Sequence, residues 1–526
     1  MLVVTVLLAA LHNGYWIRSG DGEAYLGIAR ELWLGRGYRF NGNPVGLVPP
    51  LWPGVLAAAM HLSDAFWFLK LIPLVSVIGG LACWFWILTR LSDSAVAATI
   101  VITLAILGQV FPLAITFHSD GAFFLLTAAA MLVAVSLSQR ATTVRIAGLC
   151  ALCAACVGIR WNGVPTWSHP AAIIATGDRR PMLNRRWLAI IVSGAVTLAA
   201  FVALRKGMKV PESAIDHRFD TLLATSYDML NVPPAWTDYL DRAMNLGRWP
   251  ATCLYQGLNL VRPLRYATLV AGWGIVGVLV WRSWRGWPRR EWLWPSMLAH
   301  LAFLAIVWPN AVPRYVLPIA PLFVLAMLLT VDELFRSPRL RTLATAGVVA
   351  SLWLANAPLY ALELWVQRSG DRVSERVYAG FYADLAAVAD AIRSDPASGE
   401  IAVTRLMYGR GGRPVFTSGH MRALNFLIDR PVMMPPDELC GDLDPQDPDA
   451  NLTLPGSPSV ELHRWCRSLG VTHFVDLTLT RQFAHVPTAG DSNANRWPLY
   501  RVTESGFERI ETDLRHPLPS RVPRRD

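Results

Sequence analysis

Three acids and two arginines stand where apolar runs of this chain meet polar loops. Asp21 and Glu23 open the stretch SGDGEAYLGIARELWLGRGYRFNGNPVGLVPPLWPGV, residues 19 to 55, just after the first apolar run. His118 and Asp120 begin a later run in PLAITFHSDGAFFLL, Arg160 follows another in GIRWNGVP, and Arg314 precedes Tyr315 in WPNAVPRYVLPIAPL. Ionisable groups beside membrane helices are costly unless they are paired or functional. A carboxylate at a helix N-terminus is steadied by the helix dipole, and in its ionised form it can take a proton from a hydroxyl. Arginine suits phosphate, which it grips through paired, charge-assisted hydrogen bonds. Taken singly, the same residues also read as helix caps or as arginines snorkelling beside Trp161 and Trp308. A shared site gains weight because all of them fall on one side of the spans that carry them.

Those carriers are membrane helices. Hydrophobic residues make up 53% of the 526, only 16% are charged, 22 are Trp, and the mean hydropathy is +0.35. Soluble domains carry roughly 25% charged residues, so a soluble enzyme is excluded. Apolar runs of spanning length lie near 2 to 17, 66 to 89, 94 to 111, 121 to 138, 144 to 159, 163 to 176, 187 to 204, 266 to 282, 292 to 308, 315 to 331 and 342 to 361, about eleven spans in all. Pro165 and Pro170 interrupt the sixth, which also fits a re-entrant segment.

The net charge of +10 does not indicate a nucleic-acid partner, because the basic residues gather between the runs and orient them. Arg90, Arg140 and Arg145, the group Arg179 to Arg186, Arg282 to Arg290, and Arg336 to Arg341 mark alternate loops as cytoplasmic. The N-terminus is then inside. External loops 18 to 65 and 205 to 265, and everything from 362 onward, lie outside the cell (inner) membrane. The second of these loops is basic on the outer face through Lys206, Lys209, His217 and Arg218, as an anionic headgroup would favour.

Within the first loop, Tyr25, Leu26, Ile28, Ala29, Leu32 and Trp33 recur at helical spacing. They predict a short interfacial helix that begins beside Asp21, turns Arg30, Glu31 and Arg36 towards water, and ends at Gly35 to Gly37. Residues 362 to 526 have no membrane-length run and read as an extracytoplasmic α/β domain. A helix is expected over 378 to 393, strands in GEIAVTR, RPVFTSG, RPVMM and VTHFVDL, a loop over 437 to 458, and a flexible basic tail in RHPLPSRVPRRD. No catalytic constellation stands out there. That domain is expected to assist acceptor selection and to be separable from a membrane half, 1 to 361, that carries the chemistry. Cys150, Cys153 and Cys156 read as small packing residues inside a span, whereas Cys440 and Cys466 could be bridged in an oxidising compartment.

DGEAYLGIARELWLGRGY, followed by PPLWPG, resembles the first external loop of the polytopic GT-C glycosyltransferases, the superfamily of protein O-mannosyltransferases and aminoarabinose transferases. Asp21, Tyr25, Ala29, Gly35 and Gly37 fit its pattern, and Asp120, Arg160 and RYVLPIAPL from Arg314 resemble later elements. Many relatives have Asp-Glu where this chain has Asp21-Gly22, leaving Glu23 one position late. The resemblance implies a GT-C-like polytopic α-helical membrane protein with a C-terminal extracytoplasmic α/β domain. It also implies transfer of a sugar from a polyprenyl-phosphate donor, with inversion, to a hydroxyl of a glycan, lipid or protein acceptor. Asp21 would be the base, with Glu23 and Asp120 in support, and Arg160, Arg314, Tyr315 and His118 would face the donor phosphate. A divalent cation, Mg or Mn, could share the charge, although no dense acidic motif requires one. The rival reading is a transporter or flippase of lipid-linked glycans, whose ionisable groups would sit near the bilayer midplane, where only His300 falls. A bare membrane anchor would need neither Asp21 nor Arg314.

Overall fold

The computed structural model describes residues 1–16, 21–40, 43–45, 48–139, 142–167, 194–195, 246–259, 263–286, 293–307, 313–368, 379–396, 399–403, 424, 426–430, 432–433, 460–475, 499–505, 507–510 and 520–523. Outside these lie most of the expected span 187 to 204, most of the basic loop 205 to 265, the RPVFTSG strand, the 437 to 458 loop and Cys440.

Long apolar helices dominate. Five of the described helices are long and apolar enough to cross a membrane: Phe66–Leu91, Asp120–Leu137, Tyr266–Arg285, Arg314–Leu334 and Pro338–Trp365. Four shorter apolar helices accompany them, Leu51–Met60, Ser94–Ala105, Thr143–Ile159 and Leu293–Ala305. The first expected span is helical only over α1, Leu2–Ala9, and Trp161–Trp167, within and just before the sixth, is a tight 3-10 turn. Large side chains such as Trp84, Phe323 and Phe124 interlock between these helices in one apolar core, while Trp86, Trp284 and Leu354 face outward. Such outward apolar groups suit a lipid surround.

The first loop folds as α2, Asp21–Trp33, a two-stranded hairpin of β1, Arg39–Phe40, and β2, Asn43–Pro44, and α3, Leu51–Met60. Gly35 and Gly37 end α2 with φ of 72° and 90°, a left-handed backbone that glycine adopts without a Cβ clash. Gly27 lets the hairpin close, since a Cβ there would run into the Phe40 ring.

Helix α2 does not lie with a polar face in water. Arg30 and Glu31 are buried, because the C-terminal part of the chain covers that face. Tyr25, Leu26 and Ala29 share a core with Phe66, Phe117, Leu424, Phe426, Ile428 and Val522. The end of the chain is pinned there as well: Phe66 N–H donates to Ser520 O at 2.9 Å, and Val522 N–H to Asp64 O at 3.0 Å. The expected flexible tail is therefore docked over Ser520 to Pro523. A membrane half cut free near residue 365 would lose half of this core.

The C-terminal part carries a five-stranded mixed sheet. β3, Glu400–Val403, is parallel to both β4, Val432–Met433, and β5, Val471–Val475. β6, Leu499–Val502, and β7, Phe507–Ile510, extend it antiparallel. The helix Ala379–Ser394 and the strands β3, β4 and β5 coincide with expected elements. Cys466 is a free thiol in the core of this sheet, and burial pushes it up to about 12. Cys153 and Cys156 are packed inside the Thr143–Ile159 helix, beside Thr166 and Thr127.

Candidate active site

Four segments bring their polar residues to one place. Asp21 is the first residue of α2 and Tyr25 lies one turn further on. Ser119 and Asp120 start α4, Asp120–Gln139. Arg160 leaves α5, Thr143–Ile159, in an extended conformation, and Gly163 N–H donates to Arg160 O at 2.8 Å as the chain turns back. A Cβ at Gly163 would strike the backbone of Cys156, so the turn depends on glycine. Arg314 and Tyr315 sit on the 3-10 turn Pro313–Ile319. The loop before α4 is held by Trp52 of α3, whose Nε1 donates to Phe117 O at 2.8 Å.

The ion pairs form a chain. Arg160 Nη1 lies 2.5 Å from Asp120 Oδ1, Arg314 Nε lies 3.7 Å from Asp120 Oδ2, and Arg314 Nη2 donates to Asp21 Oδ2 at 2.6 Å. The Tyr315 ring lies against both guanidiniums, 4.9 Å from Arg160 and 5.8 Å from Arg314. Ser119 joins the other side, donating to the Tyr25 hydroxyl at 3.0 Å and accepting from Arg160 at 3.3 Å. The cluster has a closed and an open half: the side chains of Asp120 and Arg160 are 2% and 8% exposed, those of Asp21 and Arg314 32% and 26%. The second pair is the more open to reactants, with the first directly behind it.

Electrostatics follow from burial. Burial pushes the Tyr25 phenol up, so it remains a neutral hydroxyl. Burial, with the charge of Arg314, pulls His118 down to about 4, so it is a neutral imidazole at neutral pH, 3.9 Å from Asp120. Burial opposes the charge on Arg160, but Asp120 outweighs it and raises the group overall. Two guanidiniums thus face two carboxylates at close range, with a neutral histidine and phenol beside them.

Of the residues singled out in the sequence, Asp21, His118, Asp120, Arg160, Arg314 and Tyr315 meet here. Glu23 is fully buried in the first turn of the same helix. Ser119 was not foreseen, nor was the part Trp52 plays in holding the loop. A buried serine immediately before a helix-starting aspartate was the available signal for the first. The two acids that a divalent ion would need, Asp21 and Asp120, each face a guanidinium. The guanidiniums already occupy the facing oxygens of both carboxylates, and among the described residues no group of three His, Cys, Asp or Glu could hold a metal.

No protein-family model matches the chain, and no curated protein matches it. Solved structures do. Two of them are ArnT from Cupriavidus metallidurans, one in the apo state and one bound to undecaprenyl phosphate. Each is 14% identical, with 96% of this chain and 98% of that chain covered, and the TM-scores are 0.52 and 0.53. Identity this low speaks to fold, and it does so over nearly the whole length of both chains. The chain therefore has the fold of these ArnT structures.

Proposed function

We propose that the chain is a membrane glycosyltransferase that moves a sugar from a polyprenyl-phosphate donor to an acceptor hydroxyl on the extracytoplasmic face. The observation that carries this reading is the Asp21–Arg314 pair, half open to reactants and backed by the closed Asp120–Arg160 pair. Undecaprenyl phosphate bound to an ArnT of the same fold supports a lipid-phosphate partner.

The chemistry is a single displacement. The acceptor oxygen attacks the anomeric carbon and gives its proton to Asp21, while the bond from that carbon to the phosphate oxygen breaks and leaves polyprenyl phosphate with one more negative charge. One inversion at carbon results. While Arg314 holds Asp21, its guanidinium engages Oδ2 of that carboxylate. An arriving phosphate offers Arg314 a second anion of suitable geometry, and the exchange would release Asp21 to act as base. Arg314 and Arg160, fixed in advance against Tyr315, would then stabilise the charge growing on the leaving group. His118, being neutral, would contribute a hydrogen bond. Glu23 supports the start of α2 from within.

A flippase is the less economical reading. It would place ionisable groups along a path through the bilayer, whereas the ion-pair cluster stands at the starts and ends of helices. The test is to incubate the purified protein in nanodiscs with a panel of radiolabelled polyprenyl-phosphate sugars and cell-envelope acceptors. Label transfer that disappears in Asp21→Asn is expected; transbilayer movement of the lipid without transfer would overturn the enzyme. Cysteine labelling at position 400 from outside intact cells checks the side of the membrane, and labelling only after permeabilisation would reject it.

A further inference from the structure

Nine residues along α2 from Asp21, about 13 Å at 1.5 Å per residue, Arg30 makes the most enclosed polar contacts described in the chain. Its side chain is fully buried. Nη2 lies 2.6 Å from Asp429 Oδ1, and Nη1 donates to Phe426 O at 2.8 Å and to Pro523 O at 3.0 Å. The guanidinium also lies 5.2 Å from the centre of the Phe426 ring. Burial pulls Arg30 down to about 10 and Asp429 opposes the fall, so the charge persists at neutral pH. Each of these three partners comes from the C-terminal part of the chain, nearly four hundred positions or more away.

We propose that the Arg30–Asp429 pair is a positioning clamp, through which the C-terminal part of the chain sets the placement of α2 and hence of Asp21 against Arg314. The functional part of this rests on the reading of Asp21 given above. Three observations lead to it. A helix is stiff, so a tilt of about 5° about the clamp would carry Asp21 about 1 Å at its far end, and misplacement on that scale can cost about 10²-fold in rate. Asp429 has φ of 56°, the only positive φ of a non-glycine residue among those described. Such a backbone persists only where its surroundings over-determine it. Finally, the Phe426 ring continues the contact to the second acid: it lies 6.4 Å from Phe66, which lies 5.8 Å from Phe117, the residue immediately before His118, Ser119 and Asp120. One anchoring point thus supports both carboxylate-bearing helix starts.

Stability alone would not call for this arrangement, since well-packed apolar residues often serve a buried position as well as an ion pair does. What a charge pair with two further carbonyl acceptors adds is a single permitted geometry.

The experiment uses the whole protein in nanodiscs and undecaprenyl phosphate as the probe. Dissociation constants are measured for the wild type, Asp21→Asn, Asp429→Asn and the double variant. Removing Asp21 frees Arg314, so it should shift the affinity in the wild-type background. With Asp429→Asn already present, α2 no longer holds Asp21 against Arg314, and the same removal should shift it at least about threefold less. Additivity within about twofold, the behaviour of distant independent sites, would overturn the clamp. Hydrogen exchange supplies a readout that needs no ligand. The amides of α2 should exchange at least about tenfold faster in Asp429→Asn while those of Leu71–Leu91 stay unchanged, and unchanged exchange in α2 would also overturn it. Should Asp429→Asn not fold, Arg36→Gln, which removes a half-exposed second partner 3.8 Å from Asp429, is expected to give smaller shifts of the same sense, and their absence would count against the clamp. A wild type that binds no undecaprenyl phosphate would reject the donor reading, and α2 exchange would then decide the clamp.

Discussion

The two ends of α2 carry ion pairs of opposite character. At the N-terminal end, Asp21 and Arg314 are each about a third exposed or less, and Arg314 is shared with Asp120. Towards the other end, Arg30 and Asp429 are sealed, with the two Nη atoms of Arg30 held by one carboxylate and two carbonyls. An exposed, shared pair can exchange partners when an anion arrives. A sealed one cannot, because parting would leave a charge without solvent. The same helix therefore joins a pair suited to chemistry to a pair suited to holding place.

The sharpest way to break this comparison is at the open end. Asp21→Asn keeps the size of the side chain and can still serve the helix start, so folding should be nearly unaffected. Losing a general base costs about 10² to 10⁴ in rate. Sugar transfer measured beside a thermal melt separates the two effects, and near-normal turnover would reject Asp21 as the base.

At the sealed end the outcome should be reversed. Arg30→Ala leaves Asp429 buried without its closest cation, and breaking a buried pair costs about 3 to 5 kcal/mol. Chemical denaturation in detergent would read this as a stability loss, in contrast to Asp21→Asn. A loss under about 1 kcal/mol would show that the pair is worth no more than a surface one.

This contrast also marks what could be read without coordinates. Asp21 and Asp120 were legible because a charge at the start of an apolar run is a local pattern, and the runs at 66 to 89, 121 to 138 and 315 to 331 are long enough to speak for themselves. β6 and β7 were not, since LYRV and FERI are short and interrupted by charge, and antiparallel pairing with β5 is what makes them strands. Arg30 and Glu31 were assigned to water because a one-sided apolar pattern implies a wet opposite face. A second layer from residues 424 to 430 and 520 to 523 covers that face, and nothing near Arg30 in sequence announces it. The docked tail escaped for the same reason: its composition resembles that of a free end, and its partners are Asp64 and Phe66.

Acid should act on the open end in a defined direction. His118 is held near 4 in the fold, against about 6.5 when unfolded. Between those values the unfolded chain binds a proton that the folded one refuses, so stability falls as pH drops from about 6.5 towards 4 and this contribution is flat above that window. Its full size is at most about 3.4 kcal/mol. Melts of the wild type and His118→Gln at several pH values should differ in slope within this window, and equal slopes would show that the imidazole is not kept neutral by its surroundings.

The smallest expected effect tests whether sealing, rather than charge alone, sets the character of the second pair. Arg36 lies near the same Asp429 carboxylate, 3.8 Å from Oδ2, and 3.5 Å from Glu31, but its side chain is 44% exposed. Water and salt screen such a pair, and exposed pairs contribute about 0.2 to 1 kcal/mol. Arg36→Gln should therefore lower stability by no more than about 1 kcal/mol, and less again in high salt. Arg30→Ala should keep its full cost in salt, because ions do not reach it. Denaturation curves of both variants at low and high ionic strength make the comparison directly. If Arg36→Gln cost as much as Arg30→Ala, or if salt reduced both costs alike, proximity to Asp429 would explain the two residues equally and the distinction between a sealed and an open pair would fall.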